Sequence, residues 1–408
     1  MNKQSQPALL YSADFARAYT GEISFEGDDL VHHVGGLALV DPLFTVSKLQ
    51  YPYPLPASVP YPEQSLRITT CYEALLGFGL VGSDANQFET QFKTQFKLYE
   101  PRPATLDELA GVHSAEYIEK VQKLSRTGGE LAGATYIGKG AFEAAQLAAG
   151  AAIRAVELLA AGETNSALVL SRPPGHHASR ESGGGFCLFN NAALAAVAAR
   201  RFGFGKSLII DWDLHHGDGT QAIFEEDAAT VYLSLHQFGP ELYPESGDFH
   251  ETGRETGTGF SVNLPLPAKT GDPTYLALFE RVVPELVAQF QPDLIIVSAG
   301  FDGHFNDTIH PYVWDPGGGL SLSAQLYHTL TGIVKECAEQ SCEGRYLVIL
   351  EGGYNLYNLP AGLVNTAAAM LDRPSLVTET IPPNVPVVSF DVEEYLARLR
   401  AHHTRFKF

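Results

Sequence analysis

Short, continuously apolar runs alternating with long helical stretches limit most strongly the folds open to this 408-residue chain. The runs are ALVLS (167–171), SLIID (207–211), TVYLSLH (230–236), DLIIVSAG (293–300) and RYLVILEGG (345–353). Around them, residues 141–162, 189–202, 274–290 and 322–340 place apolar side chains at helical spacing. A strand with no polar face has to be covered on both sides. The pattern therefore predicts an α/β domain whose parallel sheet is flanked by helices. Ligands of such sheets bind beyond the carboxyl ends of the strands. Each run passes directly into polar or glycine-rich residues: SRPPGHH, DWDLHHGDG, HQFG, GFDGH and EGGYN. Five loops are thus expected to meet on one edge of the sheet.

Residues 1–65 have a different texture, with five prolines between Pro52 and Pro62. They read as a loop-rich N-terminal arm packed on a single domain spanning 66–408. A formal charge of −20 disfavours nucleic-acid and anionic-membrane partners and suits cationic amines or basic peptides, although solubility alone asks for the same charge. Cys71, Cys187, Cys337 and Cys342 are irregularly spaced, which predicts free thiols in a reducing compartment. With no apolar stretch long enough for a membrane span, the expected location is the cytoplasm. Whether the chain forms a homo-oligomer is left open.

The loops carry the chemistry. In DWDLHHGDG, Asp211, Asp213 and His215 are spaced by two, so their side chains leave the strand on one side. A single aspartate at such a turn ordinarily caps backbone N–H groups. Two carboxylates this close repel each other unless positive charge lies between them. Carboxylate oxygens with an imidazole suit zinc or ferrous iron. Asp302, immediately after the 293–300 run, would complete a set of Asp213, His215 and Asp302 and leave a position open for water, as in catalytic sites. Water bound there loses a proton near neutral pH. His176 and His177, side by side after Pro-Pro-Gly, can divide electrostatic and proton-transfer roles if each has its own carboxylate. Asp211 and Asp218 are the candidates. Tyr354, after two glycines, can swing its phenol over the same edge and stabilise an oxyanion.

In order, RPPGHHA, GGGFCLFNN, DWDLHHGDGT, YLSLH, SAGFD and LEGGYN resemble the zinc-dependent histone deacetylase family, which includes bacterial histone deacetylase-like amidohydrolases and acetylpolyamine amidohydrolases. The match runs over roughly residues 60–375, and RPPG and LEGGYN are nearer to its class II branch. The resemblance implies an arginase-like three-layer α/β/α domain with a central, mostly parallel sheet of about eight strands. It implies zinc on Asp213, His215 and Asp302, His177 as general base and then acid, His176 as electrostatic support, and Tyr354 on the acyl carbonyl. A structural potassium ion is implied near Asp211, Asp213, His215, Ser234 and Leu235, and a second near Phe224, Asp227 and Thr230. Gly185, Phe186 and Tyr243 would line a narrow tunnel for the stem of an acylated lysine or amine.

Two stretches depart from the family pattern. LAGATYIGKG lacks the acidic residue with which many members hold a peptide backbone, and GHFNDTIHPYVWDPGGG replaces the usual continuation after Asp302. The expected activity is removal of acyl groups, acetyl above all, from acyl-lysine peptides or small acylated amines by attack of a zinc-bound water. Acetylpolyamine hydrolysis is the runner-up; Ile309 stands near where an acidic gate for a polycation would fall. A non-catalytic acyl-lysine reader is the reading from a different class, and it would be expected to lack Tyr354 or a metal ligand.

Overall fold

Eight strands form one sheet: β1 (Ala8–Leu10), β2 (Lys97–Tyr99), β3 (Ser166–Val169), β4 (Ser207–Asp211), β5 (Thr230–Gln237), β6 (Ser261–Leu266), β7 (Leu294–Ala299) and β8 (Tyr346–Leu350). Their order is β6-β5-β4-β7-β8-β3-β1-β2, and every pairing is parallel. The computed structural model describes residues 6–16, 62–82, 95–132, 135–240, 242–309 and 318–408, and the backbone of four strands between 22 and 60.

All residues of β3 through β8 are buried, as expected of strands without a polar face that are covered by helices on both sides. The Ala141–Ala160 helix packs on Asn191–Arg201; Asp272–Phe290, Ala324–Ser341, Asn358–Met370 and Leu66–Gly77 pack in succession on one another. Small side chains in the Ala141–Ala160 helix let its neighbours approach closely, and Asn190 caps the Asn191–Arg201 helix by accepting the N–H of Ala193. Among the described residues, no helix is long and apolar enough to cross a membrane. All four cysteines are buried and free.

The boundary expected at residue 65 does not coincide with the edge of the sheet. Ala8–Leu10 lies inside it, hydrogen-bonded in register to both β2 and β3. Three apolar residues are too short a run to show periodicity, so the strand is invisible in the sequence. Within 22–60, Glu22–Glu26, Asp29–Val34, Leu37–Val40 and Ser58–Pro60 form a separate antiparallel sheet. Most of the proline-rich stretch falls outside the described residues, as does 310–317 of the atypical loop.

The strand order locates the site. From β4 the chain moves outward through β5 to β6, then returns to the other side of β4 and continues through β7 to β8. The carboxyl ends of β4 and β7 therefore flank a topological switch point, where loops diverge and leave a crevice. Asp211 and Ser298 are register partners there. The next residues on each chain are those of DWDLHH and GFDG.

Candidate active site

At the end of β4 the chain turns on its own carboxylates. The N–H of Asp213 donates to Asp211 Oδ1 at 3.1 Å, and the N–H of His215 donates to Asp213 Oδ1 at 2.9 Å. Such side-chain-to-backbone turns fix where each carboxylate points. Asp302, delivered by β7, accepts the N–H of Leu214 at 3.0 Å, which ties the two loops together. His215 Nδ1 lies 3.3 Å from Asp213 Oδ1 and 3.1 Å from Asp302 Oδ2. Asp213, His215 and Asp302 are all buried, with one candidate ligand atom from each lying within 4.8 Å of the others.

Two glycines allow this approach. A Cβ on Gly300 would lie 2.0 Å from Asp213 Oδ2, and one on Gly352 would lie 2.5 Å from both Asp213 Oδ2 and Asp302 Oδ2. The donor set and the closely fitted backbone around it match a small divalent cation with oxygen and nitrogen ligands. The local electrostatics carry the same demand. Burial, followed by the charge of Asp213, pushes the Asp302 carboxyl up to about 6. Burial opposes a charge on His215, but Asp213 and Asp302 together raise it to about 10. Crowded carboxylates here draw positive charge inward.

The histidine pair sits beside this cluster, the two rings 4.0 Å apart. His176 Nδ1 faces Asp211 Oδ2 at 3.1 Å, and His177 Nδ1 faces Asp218 Oδ1 at 2.7 Å. The two imidazoles are driven in opposite directions. Burial works against charge on His176, yet Asp213 and Asp211 hold it well above the usual histidine range. For His177, burial and the neighbouring His176 outweigh Asp218 and bring it down to about 4. Asp211 also accepts the hydroxyl of Tyr232 at 2.9 Å, so its oxygens face the protein and not the Asp213–His215–Asp302 cluster.

Tyr354 is buried after Gly352 and Gly353, its phenol raised well above the ordinary value by burial and then by Asp302. Phe186 lies 5.4 Å from it, ring to ring and nearly edge-on, while Tyr243 stands edge-on to His177 at 4.8 Å. Gly185 is needed beside them: its φ is +50° and a Cβ would lie 2.3 Å from His177 Cδ2. On β5, Ser234 is the register partner of Asp211 and its hydroxyl meets His236 Nδ1 at 2.8 Å. The carbonyl of Leu235 accepts the Tyr275 hydroxyl at 3.3 Å. Near Phe224, Asp227 and Thr230, the Arg200 guanidinium pairs with Asp227 and donates to Thr230 Oγ1 at 2.8 Å.

Sequence reasoning did not reach five charged residues that brace these loops. The Glu351 carboxylate accepts the N–H groups of Gly175 (2.6 Å) and His176 (3.2 Å) and the hydroxyl of Ser298 (3.1 Å). Glu63 takes two hydrogen bonds from Arg172, each 2.7 Å, and one from Arg67. Burial would raise the Glu63 carboxyl, but Arg172 and Arg67 hold it below its ordinary value. Arg67 donates to the carbonyl of Gly353 at 2.6 Å, and Asp307 accepts the N–H of Tyr354 at 2.8 Å. The only available signal was a charged residue interrupting an otherwise apolar or turn segment, as in PEQSLR and LEGG.

Comparison with known proteins agrees with the geometry. Residues 61–370 match the family model described as histone deacetylase domain. A probable deacetylase from Archaeoglobus fulgidus is 37% identical over 311 residues, covering 76% of this chain and 81% of that protein. The histone deacetylase-like amidohydrolase of Pseudomonas aeruginosa is 38% identical over 262 residues, 63% of this chain and 66% of the relative. The polyamine deacetylase HDAC10 of Danio rerio is 36% identical over 324 residues, 76% of this chain and 44% of that longer protein. Among solved structures, the crystal structure of the HDA15 HD domain superposes with a TM-score of 0.75 at 28% identity, covering 98% of this chain and 94% of that one.

Proposed function

The chain belongs to the histone deacetylase family, and on that premise we propose that it hydrolyses acyl-lysine or simple acylated amines at a divalent metal held by Asp213, His215 and Asp302. Zinc is the first choice of metal and ferrous iron the second. The observation that carries the reading is the convergence of one ligand atom from each of these residues within 4.8 Å, beside two histidines that each face a carboxylate. When bound, such an ion supplies Lewis acidity to the acyl carbonyl and makes water acidic enough to react at neutral pH.

The chain's own groups do the rest. His177, neutral at physiological pH and anchored through Nδ1 to Asp218, has Nε2 left to accept a proton and then return one to the departing amine. His176, its Nδ1 facing Asp211 at 3.1 Å, lies 4.0 Å away, ring to ring, and is the group we assign to electrostatic support. Tyr354 stays protonated and donates its hydroxyl to the developing oxyanion. Phe186 and Tyr243 grip the methylene stem and keep water out. A structural potassium ion would draw on oxygens of Asp211, Ser234 and Leu235, which lie on adjacent strands with Asp211 and Ser234 in register.

An acyl-lysine or simple acyl-amine substrate is favoured over a polycation, because the residue that the family resemblance sets near an acidic gate is here Ile309, apolar and buried. The test is turnover of acetyl-lysine peptides, longer acyl-lysines and acetylated polyamines, each with and without chelator. Chelator-sensitive turnover led by an acyl-lysine is expected. Acetylspermidine turned over hundreds of times better than every acyl-lysine would replace the substrate assignment, and full activity of a verified metal-free protein would overturn the mechanism.

A further inference from the structure

We infer that Asp307 is a positioning residue for Tyr354, holding in place the peptide group on which the phenol turns. Asp307 lies in the atypical loop after Asp302 and is 3% exposed. Its Oδ2 accepts the N–H groups of Tyr354 at 2.8 Å and Asn355 at 3.1 Å, while Oδ1 accepts the N–H of Ile309 at 2.9 Å. One buried carboxylate thus serves three backbone donors on two loops. The Asn306 carbonyl adds to the lacing, taking the side-chain amides of Asn355 and Asn358, both at 2.9 Å.

The peptide between Gly353 and Tyr354 makes this arrangement consequential. Its N–H points to Asp307 and its carbonyl to Arg67 Nε at 2.6 Å, so one peptide plane is gripped at both ends by opposite charges. Gly353 has φ of +112°, in a region open to glycine, and without a grip this plane is free to rotate. Rotation would swing the Cα–Cβ bond of Tyr354 and carry the phenol oxygen away from the acyl carbonyl. Hydrogen bonds to a charged acceptor are about twice as strong as neutral ones, which suits a carboxylate to the task. Because misplacement by about 1 Å can cost on the order of 10²-fold in rate, the grip acts on turnover more than on affinity.

This inference rests on the proposed role of Tyr354. Its test uses the metal-loaded full chain and compares wild type, D307A, D307N, Y354F and D307A/Y354F on an acetyl-lysine peptide, with metal content and hydrogen–deuterium exchange of the segment spanning 352–356. D307A is expected to retain metal, speed exchange in that segment, and lower kcat by about 10- to 10²-fold with KM changed less than about threefold. D307N keeps the volume and part of the acceptor set, so it should fall between D307A and wild type; it also serves if D307A does not fold. D307A/Y354F should match Y354F within about threefold, because the residue acts through the phenol. The same loss from D307A in both backgrounds, or loss of metal, would show a general structural role and overturn the inference. Wild-type turnover matched by D307A would overturn the positioning role alone, whereas a wild type inert on the whole panel would overturn the deacetylation proposal and this role with it.

Discussion

Replacing Gly352 by alanine should disable metal binding while leaving the fold intact. Gly352 is not among the glycines with positive φ, so alanine is compatible with its backbone and the effect is one of volume. The new Cβ would sit 2.5 Å from Asp213 Oδ2 and 2.5 Å from Asp302 Oδ2, against a practical minimum near 3.0 Å. Both carboxylates would have to yield by about 0.5 Å, whereas ligand distances in working sites hold to about 0.2 Å. Neither oxygen has a free path, since Asp213 Oδ2 already accepts the Gly352 N–H at 2.8 Å and Asp302 Oδ2 faces His215. Changes that merely loosen supporting groups cost about 10- to 100-fold in metal affinity; displacing two of three ligands should cost at least about 10²-fold, about 2.7 kcal/mol. The assay is competition for zinc between metal-stripped protein and a chromophoric chelator, with turnover measured at saturating zinc. Gly332→Ala, at a helical position with nothing within 4 Å, is the control and should bind zinc as wild type does. A Gly352→Ala protein with unchanged zinc affinity and turnover would refute the reasoning about the cradle.

Removing one ligand by Asp302→Ala should lower zinc stoichiometry and rate together, and chelation of wild type should abolish activity that added zinc restores; a metal-replete Asp302→Ala protein would remove Asp302 from the ligand set. His177→Ala and Tyr354→Phe should each keep their metal and lose about 10²- to 10⁴-fold in turnover, with affinity little changed. Metal analysis beside kinetics separates these outcomes, and a Tyr354→Phe variant at near-full rate would make the phenol merely structural. His113 should govern part of the acid stability. Burial brings it down to about 4, and it is held as a neutral ring between the Ser179 carbonyl (2.8 Å) and the Asn190 N–H (3.0 Å). The unfolded chain protonates first as pH falls below about 6.5, so stability is complete above that value and declines toward pH 4 by about 3 kcal/mol from this group. His113→Gln should flatten the decline in urea midpoints between pH 7 and 5; an unchanged slope would exclude His113 as its source.

The candidate site was legible because its residues are concentrated: Asp211, Asp213, His215 and Asp302 end or follow fully apolar runs, and the strand ends bring them to one edge without further information. β1 and β6 were not. ALL has too few residues for periodicity, and SVNLPL carries Asn263 and Pro265 at an edge of the sheet, where proline is tolerated but strand signals weaken. The bracing charges were hidden for another reason. Glu351, Asp307 and Arg67 act on backbone groups of distant segments, 286 residues away for Arg67 and Gly353. A sequence names side chains but does not say which backbone amide a carboxylate will meet.

The interior place of β1 has a consequence for synthesis. Ala8 aligns with Lys97 on one side and Ala167 on the other. A ribosome adding about 5–20 residues per second leaves this segment without its β3 partner for roughly 8–30 s after it emerges. During that interval its apolar residues are free for chaperones or for wrong partners. Trimming the first dozen residues would also leave β2 with no neighbour in the sheet, because β1 is the only strand that β2 pairs with among those described. A segment placed inside the sheet in this way waits on partners made long after it, and removing residues 1–12 should reduce soluble yield far more than the length removed suggests.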